Sequence, residues 1–169
     1  MSKGADVIDT CVLILGMEHA NGGAEHPAQA ERAFEYLRSL EEKKLPAVVP
    51  SVVVAELLNG LDDEAAKEAW EQLDNNFIIA PFDGQAAVLG ARAIRAAMQA
   101  RKAGVGPSRP SRHEAKVDGM IVGVAMATGA GRIVSFNLRD FKHAAGPVEV
   151  DEPPQLALAK RIDFDASVN

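Results

Sequence analysis

The chain has 169 residues, of which 47% are hydrophobic, 25% are charged and 5% are aromatic. This composition is typical of one globular domain and excludes a disordered chain, a collagen and a disulfide scaffold. The net charge of -6 argues against a protein that holds nucleic acid by bulk electrostatic attraction alone. The single cysteine, Cys11, cannot form an internal disulfide, so we expect a protein of the reducing cytoplasm.

Apolar runs in this sequence are short. Charged residues or helix breakers interrupt every run before it reaches the roughly 20 apolar residues that a membrane helix needs. The apolar stretch near the N-terminus contains Asp6 and Asp9 and has no A-x-A cleavage pattern. We therefore expect neither a membrane span nor a secretory signal.

Short apolar runs alternate with longer segments of helical period, a pattern that predicts a parallel sheet covered by helices. The predicted sheet has four or five strands. They are bounded by Gly, Pro, Asp or Asn and lie at residues 5–9, 47–49, 77–80, 132–135 and 148–150.

Helices are predicted between these strands. Ser51 is placed to cap one of them and Gly60 to end it, while Asp118 is placed to begin the nearly uncharged helix before the fourth strand. Residues 102–111 contain two Gly and two Pro and predict an exposed loop. We expect one domain over residues 1–150 and a tail, 151–169, that packs on the domain or on a partner. The predicted helices span residues 26–43, 51–59, 63–74, 84–101 and 118–128.

Three carboxylates stand where burial is expected. Asp9 ends the first strand, Glu56 interrupts an apolar helix, and Asp118 precedes another. An ionised acid in apolar surroundings is costly unless it is paired or binds a metal. Each acid also has a structural interpretation, because Asp9 and Asp118 suit helix caps and Glu56 suits an exposed stripe or a salt bridge.

The topology favours a common site for these acids, because strand ends and the following helix starts meet at one edge of a parallel sheet. Ser135, Asn137 and Asp140 follow the fourth strand at the same edge, where they also suit a turn and a helix cap. Clustered carboxylates raise one another's pKa, so an ionised cluster needs a cation. Oxygen ligands favour Mg²⁺ or Mn²⁺, ions suited to phosphoryl chemistry.

Three segments carry a family resemblance: VIDTCVLI, VVPSVVVAELLNG and KVDGMIVGVAMATGAGRIVSFNLRDF. In order and spacing, from about residue 5 to 150, the chain resembles the PIN-domain ribonucleases, most closely the toxins of VapBC-type toxin–antitoxin pairs. The resemblance implies a three-layer α/β/α fold, hydrolysis of RNA by metal-activated water, a homodimer and inhibition by a small antitoxin. It also implies that Asp9, Glu56 and Asp118 bind the metal and that Thr10 and Ser135 are the accompanying hydroxyls.

One position departs from the family's pattern. Many members have an acid where this chain has the neutral Asn137, and we expect Asp140 to supply the missing charge. Some toxin members also carry Asn there, so the departure does not indicate an inactive protein. We predict that Asp140 joins the three metal-binding acids in catalysis and that the substrate contacts Thr10, Ser135 and Asn137.

A basic segment precedes Asp118, with five formal positive charges in residues 101–116. These charges are placed to guide an RNA backbone toward the acids, with Arg112 and Lys116 as the predicted contacts, but they equally suit a solvated loop. His19 and His26, seven residues apart in a Gly-rich segment that predicts a loop, are interpreted as surface histidines rather than metal ligands. The basic segment consists of Arg101, Lys102, Arg109, Arg112, His113 and Lys116.

The leading functional hypothesis is a Mg²⁺- or Mn²⁺-dependent ribonuclease. A noncatalytic PIN-like module that binds RNA or protein is the alternative, motivated by Asn137. A phosphatase or phosphoacceptor domain would also place Asp at a strand end. It is disfavoured because Asp9-Thr10-Cys11 lacks the second Asp of the usual phosphatase pair.

Overall fold

A computed structural model of the chain describes residues 4–103, 112–141, 144 and 146–156. Its sheet has five parallel strands in the order β3-β2-β1-β4-β5, which confirms the predicted parallel α/β architecture. The observed strands differ from the predicted ones by one or two residues at their ends. They are β1 (Asp6–Ile8), β2 (Ala47–Pro50), β3 (Ile78–Ala80), β4 (Arg132–Val134) and β5 (Glu149–Asp151).

Helices flank the sheet, as the three-layer α/β/α expectation requires. The core between the layers is built from aliphatic side chains of the strands and of the helices packed on them. Among the described residues, no helix is both long enough and apolar enough to cross a membrane. The helices are α1 (Thr10–Ala20), α2 (Pro27–Glu42), α3 (Ser51–Asn59), α4 (Asp63–Asn76), α5 (Gly84–Ala103), α6 (Arg112–Thr128) and α7 (Leu138–Phe141).

Two predicted helix caps are wrong, and for one of them the helix start is wrong as well. Helix α6 begins at Arg112, so Asp118 lies in its second turn and does not cap it. The extra residues are helical because they contain no Gly or Pro, and because Ala115 and Val117 are buried. Helix α3 is capped by Pro50, while the Ser51 hydroxyl accepts a hydrogen bond from the Phe82 N–H at 3.0 Å.

The predicted loop at 102–111 is also shorter at its start, because α5 continues to Ala103. Residues 104–111 lie outside the described part of the chain, as do 157–169 of the predicted tail. The described part of that tail begins inside the sheet, since Asp151 pairs with Val134 in β5.

Strand register places the acids. Ile8 pairs with Val134, so the residues that follow, Asp9 and Ser135, leave the sheet side by side. The Asp9 N–H donates to the carbonyl oxygen of Val134 at 3.1 Å and fixes this pairing. Strand β2 runs parallel to β1 on its other side, so α3 starts at the same edge.

Glycines bring α5 and α6 into close contact. A Cβ on Gly123 would lie 2.4 Å from the Ala86 carbonyl oxygen, and one on Gly119 would lie 2.8 Å from the Ile94 backbone nitrogen. Only a residue without a side chain allows two helix backbones to approach this closely. This contact fixes the position of α6 on α5, and with it the position of Asp118, which lies on α6.

A separate ion-pair network, centred on Arg132, joins three neighbouring strands. The Arg132 guanidinium binds both carboxylate oxygens of Asp6, at 2.9 and 3.0 Å, and reaches Asp151 at 3.5 Å. The Tyr36 hydroxyl donates to Asp6 at 2.6 Å, and burial raises the pKa of that hydroxyl. These bonds connect β1, β4 and β5 to α2.

Candidate functional site

Asp9 sits at the junction of β1 and α1, where it both caps the helix and carries a buried carboxylate. Its Oδ1 accepts the Thr10 N–H at 2.8 Å. Its Oδ2 accepts the Ser135 hydroxyl at 2.6 Å and the Cys11 thiol at 3.2 Å. The side chain is 7% exposed, and burial raises the pKa of its carboxyl although the three donors act in the opposite direction.

Glu56 reaches the same edge from α3. Its Oε2 accepts the Thr10 hydroxyl at 2.6 Å, so one residue of α1 touches both acids, Asp9 through its N–H and Glu56 through its hydroxyl. The negative charge of Glu56 contributes to the raised pKa values of Asp9 and Asp118. Glu56 is half-buried, and its hydrogen bond to the Thr10 hydroxyl holds its carboxylate near the other acids.

Asp118 is the least compensated acid of the site. It is 7% exposed, and among the described residues its Oδ2 has no hydrogen-bond donor. Burial raises the pKa of its carboxyl to about 8, with further contributions from the charges of Asp9, Asp140 and Glu56. A carboxylate in this position is stabilised either by a proton or by a cation.

Asp140 and Ser135 complete the edge as the sequence places them. Asp140 lies half-buried in α7, near enough for its charge to raise the pKa of Asp118. Ser135 is fully buried, and its hydroxyl both donates to Asp9 and accepts the Asn137 N–H at 2.8 Å. The Asn137 side chain is exposed. The Thr10 hydroxyl thus orients Glu56, and the Ser135 hydroxyl orients Asp9.

The acids converge without forming a ready-made metal cage. Within the described residues, no three His, Cys, Asp or Glu side chains are arranged so that they could hold an ion as they stand. The donor set still suits a hard cation, because Asp118 presents a buried oxygen that lacks a donor in the described structure and the charges of Asp9, Asp140 and Glu56 act on it. A bound cation would have to draw these side chains together against their mutual repulsion.

The basic segment is helical where it nears the site. Arg112 and Lys116 are exposed, four positions apart on α6, and therefore lie on the same face of the helix. Lys102 lies at the end of α5, and Arg109 is outside the described residues. The predicted loop is wrong at His19, which lies in α1 with its ring centroid 5.0 Å from that of Phe34.

Sequence reasoning missed the role of Cys11. Its sulfur lies 3.2 Å from Asp9 Oδ2 and 3.5 Å from the Ser135 hydroxyl, inside the site. Burial, followed by the charge of Asp9, raises the pKa of its thiol to about 12. The sequence did place Cys11 two residues after Asp9, in the first turn of the helix that Asp9 caps. A residue in that turn lies at the same edge of the sheet as Asp9.

Comparisons with known proteins agree with this architecture. The family model for the PIN domain matches residues 7–147. DNA-bound VapBC from Salmonella typhimurium is 23% identical, with a TM-score of 0.59 over 87% of this chain and 97% of that chain. VapBC2 from Rickettsia felis, bound to a fragment of promoter DNA, is 16% identical, with a TM-score of 0.59 over 88% of this chain and 98% of that one.

A toxin–antitoxin complex from Klebsiella pneumoniae is also similar. It is 16% identical, with a TM-score of 0.53 over 90% of this chain and 100% of that chain. At such identities the likeness shows a shared fold. A comparison with curated proteins gave no match.

Proposed function

Because this chain belongs to the PIN domain family, we propose that it is a Mg²⁺- or Mn²⁺-dependent ribonuclease, the toxin of a type II toxin–antitoxin pair. The observation that carries the proposal is the Asp118 carboxylate, which is buried, is acted on by the charges of Asp9, Asp140 and Glu56, and has an oxygen without a donor in the described structure. Structural acids are normally paired or exposed. An unpaired buried acid beside further acids favours a cation site.

The metal-binding residues in this proposal are Asp9, Glu56 and Asp118, with Asp140 supplying the charge that Asn137 lacks. A divalent cation supplies Lewis acidity for the phosphoryl oxygens and lowers the pKa of the attacking water. Thr10 and Ser135 hold Glu56 and Asp9 in place through their hydroxyl groups. This support matters because each acid is on a different element and repels the others.

The substrate would approach along the exposed face of α6. Arg112 and Lys116 lie one turn apart there, and Lys116 is two residues before Asp118. Cations in this position attract the phosphates of a single strand and offset the negative charge of the acids. We assign to these two residues the binding of the RNA backbone, and to Asn137 a contact at the exposed end of the site.

An antitoxin is the proposed protein partner. A groove of about 710 Å³ between α1, α2 and α4 is lined by apolar side chains, among them Met17, Leu37 and Leu61. Its lining also includes more acidic than basic side chains, so it suits the apolar face of a helix that carries basic residues. We place the protein in the cytoplasm, where such a partner could reach the groove. We also expect the chain to form a homodimer.

Partner binding can be tested with the product of a short reading frame adjacent to this gene. We expect that product to co-purify with the wild-type chain and not with Leu61→Asp, which puts a charge into the groove. Val88→Asp is the matched control, because Val88 is 67% exposed on α5, outside the groove. Equal capture by all three chains would contradict the assignment of the groove.

Catalysis is tested by RNA cleavage with purified variants. Asp9→Asn and Asp118→Asn each remove one carboxylate, and we expect each to lower the rate of Mg²⁺-dependent cleavage by at least about 100-fold. Asp62→Asn is the control, because Asp62 caps α4 from an exposed position outside the site. Unchanged cleavage by both site variants would refute the assignment.

The noncatalytic module predicts a different result in the same experiment. RNA that binds equally well with and without Mg²⁺, and that is never cut, would favour a binding module. Cleavage that disappears on chelation and returns with Mg²⁺ or Mn²⁺ would favour the ribonuclease.

A further inference from the structure

Cys11 lies at the point where the ends of β1 and β4 meet. Its sulfur is 3.2 Å from Asp9 Oδ2 and 3.5 Å from Ser135 Oγ, and the Phe136 N–H also interacts with it. The Ser135 hydroxyl donates to the same Oδ2 at 2.6 Å. The Ser135 hydroxyl proton and the Cys11 thiol proton are therefore both directed to Asp9 Oδ2. In this arrangement neither proton lies between the Cys11 sulfur and the Ser135 oxygen.

Lone pairs of the Asp9 carboxylate can be counted from these contacts. An ionised carboxylate offers about four acceptor positions, two on each oxygen. Ser135 and Cys11 take both positions on Oδ2, and the Thr10 N–H takes one on Oδ1. One position on Oδ1 is left, so the donors determine which oxygen is available to a cation and prevent the carboxylate from turning.

We propose that Cys11 is a positioning residue of the acid site, whose thiol saturates Asp9 Oδ2 and so directs Oδ1 toward the bound cation. The proposal rests on the proposed function, since it assigns a role in cation binding. It has independent support in Asp118, which is 7% exposed and whose Oδ2 lacks a donor in the described structure.

A simple packing role for Cys11 makes a different prediction. A side chain that only fills space can be replaced by another of similar size without effect on cation affinity. A positioning donor can be replaced only by another donor. Removal of a side chain that orients a ligand typically weakens metal affinity by about 10- to 100-fold.

Mn²⁺ affinity, measured by electron paramagnetic resonance on the full chain, separates the two roles without any assay of cleavage. We expect Cys11→Ala to bind Mn²⁺ about tenfold more weakly than the wild type. Cys11→Ser keeps a donor, and we expect its affinity to stay within about threefold of the wild type. Ile14→Ala is the matched control on the same helix, because Ile14 is 40% exposed and outside the site.

Thermal unfolding in EDTA establishes that each variant is folded before the affinities are compared. If Cys11→Ala does not fold, Cys11→Val provides the same test, because it fills the space of the thiol without offering a donor. Weak binding by the donor-free variant together with rescue by serine supports the proposal. Equal weakening by serine, or wild-type affinity in the donor-free variant, overturns it while the proposed cation site stands. Absence of Mn²⁺ binding by the wild type would instead refute the proposed function.

Discussion

Replacement of Asp118 by asparagine removes a buried charge from the centre of the acid site. The pKa of this carboxyl is raised to about 8 in the folded protein, whereas an unfolded chain gives Asp a pKa of about 4. Between these two values the folded state holds the proton and the unfolded state does not. The contribution of Asp118 to the free energy of unfolding of the cation-free protein therefore falls as the pH rises from about 4 to about 8, and it is level outside that window.

The size of the effect follows from the shift. Four pKa units at about 1.4 kcal/mol each set a ceiling of about 5 to 6 kcal/mol. Side-chain relaxation and entry of water lower the cost of a buried charge, so we expect a loss of about 2 to 3 kcal/mol between pH 4.5 and pH 8. Asp118→Asn cannot ionise, so at pH 8 it should be more stable than the wild type by about that amount, or roughly 5 to 10 °C in Tm.

Urea unfolding in EDTA, followed by circular dichroism at pH 4.5 and pH 8, measures this difference. Asp62→Asn makes the same chemical change at an exposed helix cap and should keep the wild-type pH dependence. The addition of Mn²⁺ at pH 8 should stabilise the wild type and leave Asp118→Asn nearly unchanged. An Asp118→Asn variant that loses as much stability as the wild type between pH 4.5 and pH 8 would refute the reasoning.

Three further predictions concern the frame and the substrate face. Arg132→Met leaves its carboxylate partners uncompensated and should cost about 2 kcal/mol in urea unfolding, without a change in Mn²⁺ affinity. Gly123→Ala forces α5 and α6 apart and should destabilise by about 1 to 3 kcal/mol, whereas Gly60→Ala, whose Cβ would meet its nearest atom at 3.6 Å, should stay within about 0.5 kcal/mol of the wild type. Arg112→Ala and Lys116→Ala should each weaken binding of uncleavable RNA and lower the slope of log affinity against log salt by about 1, as measured by fluorescence anisotropy; unchanged slopes would exclude a role in phosphate binding.

Most of the order of elements could be predicted from the sequence, because the strands are short apolar runs and most of the helices between them keep a helical period. Strand 132–134 and helix 51–59, for example, are where the pattern indicates. Helices α1 (Thr10–Ala20) and α7 (Leu138–Phe141) were not among the predicted helices. The neighbours of each strand could not be read from the pattern. That information is in the register, which pairs Ile8 with Val134 and so brings Asp9 next to Ser135.

The start of α6 shows why a local signal misled. Asp is a common helix cap, so Asp118 before an uncharged run indicated a helix start. Residues 112–117 nevertheless continue the helix toward the N-terminus, and they bury Ala115 and Val117. The burial of these two side chains therefore outweighed the local capping signal, and Asp118 is a buried side chain in the second turn of α6.

The site residues were predicted by type and edge, but their pairing was not. Nothing in the sequence indicated that Thr10 donates to both acids next to it or that Ser135 donates to Asp9 across 126 positions. Such bonds depend on side-chain directions at the ends of three elements. Cys11 was missed for the same reason, since its place in the first turn after Asp9 indicates the edge of the sheet but not that its thiol donates to Asp9.

The acid site is tested most directly by a crystal structure of the chain soaked in Mn²⁺, with the ion located by its anomalous scattering. We predict an anomalous peak bound to Asp9 Oδ1 and Asp118 Oδ2, with oxygen distances of about 2.0 to 2.4 Å and Glu56 turned toward the same ion. Saturating Mn²⁺ that leaves no peak between these carboxylates, with Asp118 still lacking a partner, would contradict the account.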